Sequence, residues 1–133
     1  TRRSSDGTGE ARAANPETPD AAAHKMVDTH KIVFSKTLNS IQGKNTELNS
    51  GDLVEEVTRL KSQPGSDIIA YGGATFVSNL IRHGLIDEFH LFVNPAAVGN
   101  GMAIFTERTP LKLVRATPFD CGIVVLMYTP VQA

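Results

Sequence analysis

Several features are scarce in this sequence, and each scarcity excludes a class of protein. Cys121 is the single cysteine among 133 residues, so neither an internal disulfide nor a thiolate-rich metal site can form. The longest apolar run, Ile123 to Tyr128, is far shorter than the roughly 20 residues of a membrane-spanning helix. With 13 basic and 14 acidic residues, no basic surface for nucleic acid or anionic lipid is expected. We therefore expect a cytoplasmic protein without nucleic-acid or membrane partners.

The amino-terminal segment is equally poor in core-forming residues. Residues 1–20 contain no Val, Ile, Leu or aromatic side chain, and this composition predicts a loop or disordered segment over residues 1–18. The remainder, residues 19–133, has enough apolar side chains for one hydrophobic core and is predicted to be a single domain. The chain starts with Thr1 instead of Met, which suggests that it was trimmed from, or is part of, a longer product.

Strand-like and helix-like segments alternate along the chain. The predicted helices are Pro19 to Asp28, a segment from Leu53 that ends before Pro64 and Gly65, and Ala74 to His83. The predicted strands are Lys31 to Ser35, an extended segment at Thr46 to Leu48, a buried strand at Asp67 to Tyr71, Glu88 to Asn94, Leu111 to Ala116 and Ile123 to Thr129. This order predicts an α/β fold with a mixed, mostly parallel sheet, flanking helices and a C-terminal antiparallel hairpin.

A pair of glycines marks the most informative position. Gly72 and Gly73 lie where a predicted strand turns directly into a helix. The first amides of a helix have no intrahelical acceptor and carry partial positive charge, and glycine allows a phosphate to approach the backbone. Ala74 keeps this approach open, and Thr75 offers a hydroxyl donor. The alternative interpretation is a tight turn that simply requires glycine.

A second polar segment follows the predicted strand Lys31 to Ser35. Ser35 and Thr37 supply hydroxyl groups and Lys36 supplies a positive charge, a combination suited to a phosphate ester such as the 2′-phosphate of NADPH. Ligands of open α/β sheets bind beyond the carboxyl ends of parallel strands, where this segment and the glycine pair are both expected. The alternative is a polar strand end with a solvated lysine.

Other reactive residue types indicate no site. The four histidines lie at positions 24, 30, 83 and 90, without the close spacing of a metal-binding motif, so no metal is assigned. Asp87 and Glu88 are adjacent, and adjacent strand residues point to opposite faces, so strand-entry polarity is favoured over a pair of catalytic carboxylates. Cys121 has no histidine nearby in sequence that would activate it as a nucleophile.

The motifs together resemble a known family. Their order, ending in a Pro95 to Gly101 loop, is similar to the C-terminal reductase domain of the bacterial riboflavin-biosynthesis deaminase-reductase and to dihydrofolate reductase-like proteins. The likeness covers about Asn15 to Pro130, and the motifs that carry it are Lys31 to Leu38, Asp52 to Val57, Asp67 to Ala74, Gly84 to Phe89 and Pro95 to Gly101.

The resemblance implies a dihydrofolate reductase-like fold and an NADPH-dependent reductase that transfers hydride to a small heteroaromatic substrate of the riboflavin-precursor or pterin type. It implies that the 2′-phosphate binds near Ser35, Lys36 and Thr37. By the same resemblance the pyrophosphate lies against the turn formed by Gly72, Gly73, Ala74 and Thr75, in which the peptide bond between the two glycines is expected to be cis.

The sequence departs from the family pattern upstream. Family members open with two further strands, one ending in a Ser-Leu-Asp-Gly-like segment that lines the substrate pocket, and neither strand is recognised here. No catalytic residue is therefore assigned, and poor turnover is expected. We expect a homodimer or larger homo-oligomer. The vacancy left by the missing strands is expected to be covered by another chain, by a dimer interface that uses the Phe89, Leu91 and Val93 face or the Ile123 to Met127 face, or by residues Thr1 to Asp20 folded back. Two alternatives remain: a non-catalytic nucleotide-binding or structural dimer module, and a phosphate-sugar-binding domain without nicotinamide preference.

Overall fold

A computed structural model describes residues 21–131 of the chain. The predicted loop over residues 1–18 and the first two residues of the predicted first helix lie outside the described residues. The chain divides into two compact units with the boundary between Glu56 and Val57, and each unit is described by itself. The single domain over residues 19–133 stays a prediction. Within residues 21–131, no helix combines the length and the apolar character needed to cross a membrane.

The first unit contains a helix and a pair of parallel strands. Helix α1 (Ala21–Asp28) precedes strand β1 (Lys31–Phe34), which pairs in parallel with β2 (Thr46–Asn49). The ladder continues one residue past β1, because the Ser35 amide donates to the Asn49 carbonyl over 3.1 Å. Both strands were predicted, and the Thr46 to Leu48 segment is thereby confirmed as a strand that is one residue longer.

Lysines fix the carboxyl end of α1. The Lys31 ammonium donates to the carbonyl oxygens of Met26, Val27 and Thr29 over 2.9–3.0 Å, so a cation satisfies acceptors that the helix end leaves unpaired. Lys44 donates to the Asp28 carboxylate over 2.7 Å. This hydrogen bond and the lysine charge hold the pKa of Asp28 below its ordinary value of 3.8.

Helix α2 (Leu53–Ser62) starts at a side-chain cap. The Asp52 carboxylate accepts hydrogen bonds from the amides of Val54 and Glu55, at 3.0 and 3.1 Å, which satisfies two amides of the first turn. Near the other end of α2, the Lys61 ammonium lies 2.7 Å from the Asp87 carboxylate. This ion pair gives Asp87 a structural partner, in line with the strand-entry role predicted for it.

The second unit contains one more helix and an antiparallel sheet. Helix α3 (Ala74–Arg82) is followed by β3 (Phe89–Val93), β4 (Leu111–Pro118) and β5 (Val124–Pro130). The strand order is β3-β5-β4, and both pairings are antiparallel. Gly84 has φ +64° and follows α3, where the sequence predicts a left-handed residue at the helix end.

One face of this sheet carries the buried side chain of Phe89. Cross-strand partners share a face, so the register places Phe89 with Tyr128 and Leu113, and Leu91 with Leu126 and Ala116. Phe89 is 6% exposed, and its ring centre lies 5.5 Å from that of Phe105. The opposite face carries the partners His90, Met127 and Arg115, and Phe92, Val125 and Thr117. The ladder between β4 and β5 shifts register between Leu113 and Arg115, which leaves Val114 as an additional residue.

Two sequence predictions about the sheet are wrong. Residues 67–71 join neither sheet, and Ile69 and Tyr71 are 83% and 78% exposed, so this segment is not a buried strand. The described strands are also not mostly parallel: β1 and β2 form a parallel pair, whereas β3, β4 and β5 are antiparallel. The apolar character of residues 67–71 favours a strand. A strand also requires a neighbouring strand that pairs with its backbone N–H and C=O groups. The coarser expectation of a mixed α/β fold with a C-terminal antiparallel hairpin is confirmed.

The Lys31 contacts predict a measurable contribution to stability. Replacing Lys31 with Met keeps most of the aliphatic stem and removes the ammonium that caps α1, so the free energy of unfolding should fall by about 1 kcal/mol. Urea unfolding followed by circular dichroism measures this change. Lys25→Met, which removes a cation from the last turn of the same helix, is the control and should cost clearly less. Equal losses would mean that general helix-end charge, not the carbonyl contacts, stabilises α1.

Candidate cofactor-binding site

The glycine turn leads directly into α3. Gly73 is the N-cap residue, with φ −69° and ψ 162°, and it makes no side-chain cap hydrogen bond. The first turn contains no acidic residue, and the Val77 amide makes a helical bond of 3.1 Å to the Gly73 carbonyl. The amides of Ala74 and Thr75 come before Val77 in the chain and therefore have no acceptor within the helix. The helix end thus has positive electrostatic character, and its own first turn contains no carboxylate that would neutralise it.

The two glycines differ in the space around them. A Cβ atom built on Gly73 meets nothing within 4 Å, whereas one built on Gly72 lies 3.2 Å from Phe76 Cδ1. Gly73 therefore borders open space at the helix end, whereas Gly72 lies so close to the Phe76 ring that a side chain there would require the ring to shift. Gly72, Gly73 and Thr75 are exposed, and Ala74 is half-buried. No cis peptide bond occurs in residues 21–131, so the bond between the glycines is trans, contrary to the cis bond that the resemblance implied.

The Ser35 to Thr37 segment forms a compact turn after β1. The Ser35 hydroxyl oxygen accepts from the amides of Thr37 and Leu38 over 3.3 and 3.2 Å. It also lies 3.4 Å from Thr37 Oγ1, so the two hydroxyl groups are neighbours. Lys36 and Thr37 are exposed, while Ser35 is half-buried. Ser35 thus has a structural role that the sequence did not predict, because its oxygen orders the backbone of the turn.

The predicted site residues fall into two separate groups. Ser35, Lys36 and Thr37 belong to the first unit, and Gly72 to Thr75 belong to the second. Within each group, the structure brings the predicted residues together in one turn. Among the described residues 21–131, no group of three or more His, Cys, Asp and Glu side chains is arranged to hold a metal ion. Asp87 and Glu88 have local partners in Lys61 and His90, which agrees with structural roles for both carboxylates.

A family comparison assigns the chain. The model of the RibD C-terminal domain matches residues 7–125, which is most of the 133-residue sequence. The chain belongs to the RibD C-terminal domain family. This match confirms the resemblance on which the sequence-based assignment rests. It spans both the Ser35 to Thr37 turn and the glycine turn.

Individual relatives agree with this family. The chain is 38% identical over 117 residues to the uncharacterized protein YyaP of Bacillus subtilis, covering 86% of this chain and 62% of YyaP. It is 32% identical over 94 residues to the uncharacterized protein YwjB of the same organism, covering 68% of this chain and 54% of YwjB. The chain therefore spans less than two thirds of each of these curated relatives.

A solved structure has a similar fold. It is that of a Shewanella sp. PV-4 protein whose name assigns it to riboflavin biosynthesis, and it matches with a TM-score of 0.64 at 20% sequence identity. The match covers 76% of this chain and 60% of the Shewanella protein. At this identity the match shows a common fold, and it supports the mixed α/β architecture. The arguments about individual residues therefore rest on the geometry of this chain.

The different surroundings of the two glycines predict different tolerance to a side chain. Gly73→Val should change the free energy of unfolding by less than about 0.5 kcal/mol, because valine suits the extended backbone at Gly73 and its Cβ enters open space. Gly72→Val should destabilise by about 1 kcal/mol or more, because its Cβ crowds the Phe76 ring. Thermal and urea unfolding of both variants measure the difference. The reverse order of stabilities would contradict this description of the turn.

Proposed function

We propose that this chain is the NADPH-binding reductase domain of its family, with the cofactor's pyrophosphate bound by Gly72, Gly73, Ala74 and Thr75. The observation that carries this proposal is the amino-terminal end of α3. It combines a glycine N-cap, no side-chain cap and no acidic residue in its first turn. The family match supports the nucleotide assignment, since a phosphate-binding helix end alone is common to many nucleotide-binding folds.

The geometry fits a pyrophosphate for two physical reasons. First, the amides of Ala74 and Thr75 have no acceptor within the helix, so an anion can accept their hydrogen bonds in the favourable field of the helix dipole. Second, the open space beside Gly73 leaves room for a phosphate close to the backbone. The exposed Thr75 side chain adds a hydroxyl donor. A phosphate at this position would accept the amide hydrogen bonds that the N-cap residue, a glycine, cannot accept with a side chain.

The second group supports a preference for a phosphorylated ribose. Lys36 is exposed, and the hydroxyl groups of Ser35 and Thr37 lie 3.4 Å apart in the turn that follows β1. A positive charge beside hydroxyl donors favours a dianionic phosphate ester. We assign to these residues the 2′-phosphate that distinguishes NADPH from NADH.

The proposed reaction is hydride transfer to a small heteroaromatic substrate of the riboflavin-precursor or pterin type. NADPH supplies the hydride when it is bound, and the residues of the chain bind and orient the cofactor. Both the family and the name of the Shewanella protein point to riboflavin biosynthesis. No residue of this chain is proposed to act as a general acid or base.

Two measurements separate this function from its alternatives. A nucleotide-binding module without activity would bind NADPH but would not oxidise it in the presence of dihydrofolate or riboflavin precursors. A phosphate-sugar-binding domain would bind ribose 5-phosphate about as tightly as NADPH, whereas the proposed function requires clearly tighter binding of NADPH. Isothermal titration calorimetry and absorbance at the NADPH band provide these comparisons for the full chain.

The pyrophosphate assignment predicts a selective defect in Gly73→Val. The branched side chain would fill the space that the phosphate needs, so NADPH affinity should fall at least about tenfold, an estimate based on losing one or more charge-assisted hydrogen bonds. Calorimetry measures the affinity. Gly65→Val is a matched control, because a Cβ on Gly65 also meets nothing within 4 Å. Equal NADPH affinity for wild type and Gly73→Val would refute the assignment.

The 2′-phosphate assignment predicts a change in cofactor preference. Lys36→Ala should cost about 1 to 2 kcal/mol of NADPH binding, the range for a charge-assisted contact, and little NADH binding. Titration with both cofactors measures the two changes. Lys112→Ala, at another exposed lysine in β4, should leave both affinities unchanged. A similar loss for NADPH and NADH would show that Lys36 does not contact the 2′-phosphate.

A further inference from the structure

Asn100 differs from every other asparagine of the chain in the residue that follows it. The asparagines at positions 15, 39, 45, 49, 79 and 94 precede Pro, Ser, Thr, Ser, Leu and Pro, whereas Asn100 precedes Gly101. The backbone nitrogen that follows an asparagine can attack the side-chain amide carbon, and a side chain on the attacking residue hinders this approach. Glycine removes the hindrance and gives the backbone more conformational freedom.

The backbone before Asn100 makes a tight turn at a glycine. The Asn100 amide donates to the Val98 carbonyl over 2.8 Å, and Gly99 between them has φ +72°. This combination is the rarer form of γ-turn, whose central residue adopts a backbone conformation that suits glycine. Asn100 and Gly101 are both exposed, so water and hydroxide can reach the peptide group between them.

The Asn100 side chain is folded back onto the nitrogen that would attack it. The Gly101 amide donates to Asn100 Oδ1 over 2.9 Å. Because Oδ1 is bonded to Cγ, this contact holds the Gly101 nitrogen near the carbon with which it would react, and such proximity favours a reaction within one chain. Among the residues that the structure describes, none lies within 4 Å of a Cβ atom built on Gly101. The geometry depends on two adjacent residues of the second unit alone.

We propose that Asn100 is a site of spontaneous deamidation, at which the chain converts asparagine to a mixture of aspartate and isoaspartate. The Gly101 amide loses its proton to hydroxide, and its nitrogen forms a bond to Asn100 Cγ. The Cγ–Nδ2 bond then breaks, and ammonia leaves with a proton from water, which regenerates hydroxide and leaves a five-membered succinimide.

Water then opens the succinimide ring in one of two ways. Cleavage between the Gly101 nitrogen and Cγ gives aspartate, whereas cleavage between that nitrogen and the backbone carbonyl carbon of residue 100 gives isoaspartate. Both products carry one more negative charge than the starting chain, and isoaspartate also lengthens the backbone by one carbon. Water and hydroxide are the co-reactants, and no group is oxidised or reduced.

Two other asparagines are internal controls. Asn49 Nδ2 donates to Glu56 Oε2 over 2.9 Å, and Asn49 Oδ1 accepts from the Gly51 amide over 2.8 Å. Its oxygen therefore contacts the amide two residues along the chain, whereas closure of a succinimide needs the nitrogen of the next residue. Asn94 precedes Pro95, whose nitrogen has no proton to lose. Both asparagines should stay intact under conditions that convert Asn100.

Peptide mapping of the full chain tests the site. After incubation in mildly alkaline buffer and tryptic digestion under mildly acidic conditions, the peptide of residues 83–108 contains both Asn94 and Asn100. Fragmentation in the mass spectrometer should place the amide-to-acid mass gain on Asn100, and an isoaspartyl methyltransferase used as a reagent should label the same peptide. Asp6 precedes Gly7 and can isomerise through the same ring, but without a mass gain.

Two glycine variants and an unfolded control test the mechanism. Gly101→Ala should slow the conversion by roughly tenfold or more, because the methyl group hinders the attacking nitrogen. Gly65→Ala is the matched control, since a Cβ on Gly65 also meets nothing within 4 Å, and it should leave the rate unchanged. The folded chain should convert at least as fast as the chain unfolded in guanidinium chloride. An intact Asn100, equal conversion of Asn49, an unchanged rate in Gly101→Ala, or protection by folding would overturn the proposal.

Discussion

Strand β5 is hydrogen-bonded on both sides, to β3 and to β4, and the second unit is organised around this double ladder. It places Phe89, Tyr128 and Leu113 on one face, where Phe89 packs against Phe105. β5 therefore pairs its backbone groups on both sides, whereas β3 and β4 each pair with β5 on one side. Residues 67–71 have similar composition but no such neighbour in the described chain, and they stay exposed.

The same dependence on neighbours explains which parts of the fold could be predicted. The three helices were predicted to within a few residues at each described end, because capping and breaking residues act locally: Asp52 caps α2 and Gly84 follows α3. Strand positions were also recognised, as in β4 and β5. Pairing is not local, however, and the composition of residues 67–71 does not show which strand, if any, lies beside them. The mostly parallel sheet was wrong for the same reason.

The candidate site shows a similar division. The position of Gly73 at the start of α3 follows from a strand-like segment, two glycines and an amphipathic helix, all of which the sequence displays. The packing of Gly72 against Phe76 and the acceptor role of the Ser35 hydroxyl depend on three-dimensional geometry. They indicate that two residues selected for phosphate binding also have structural functions. Mutations at Gly72 or Ser35 therefore report on folding and binding together, whereas Gly73 and Lys36 separate the two.

The additional residue in β4 corrects the phase of that strand. Leu111 and Leu113 share the face of Tyr128, and after the register shift Arg115 pairs with Met127 on the other face. In an uninterrupted strand with a period of two, Arg115 would fall on the same face as both leucines. The additional residue Val114 shifts this alternation by one position. Arg115 therefore lies on the face opposite to that of Leu111 and Leu113. The side chains before and after Val114 therefore follow two different alternations. Deleting one residue at this position would move every later side chain of β4 to the opposite face of the sheet.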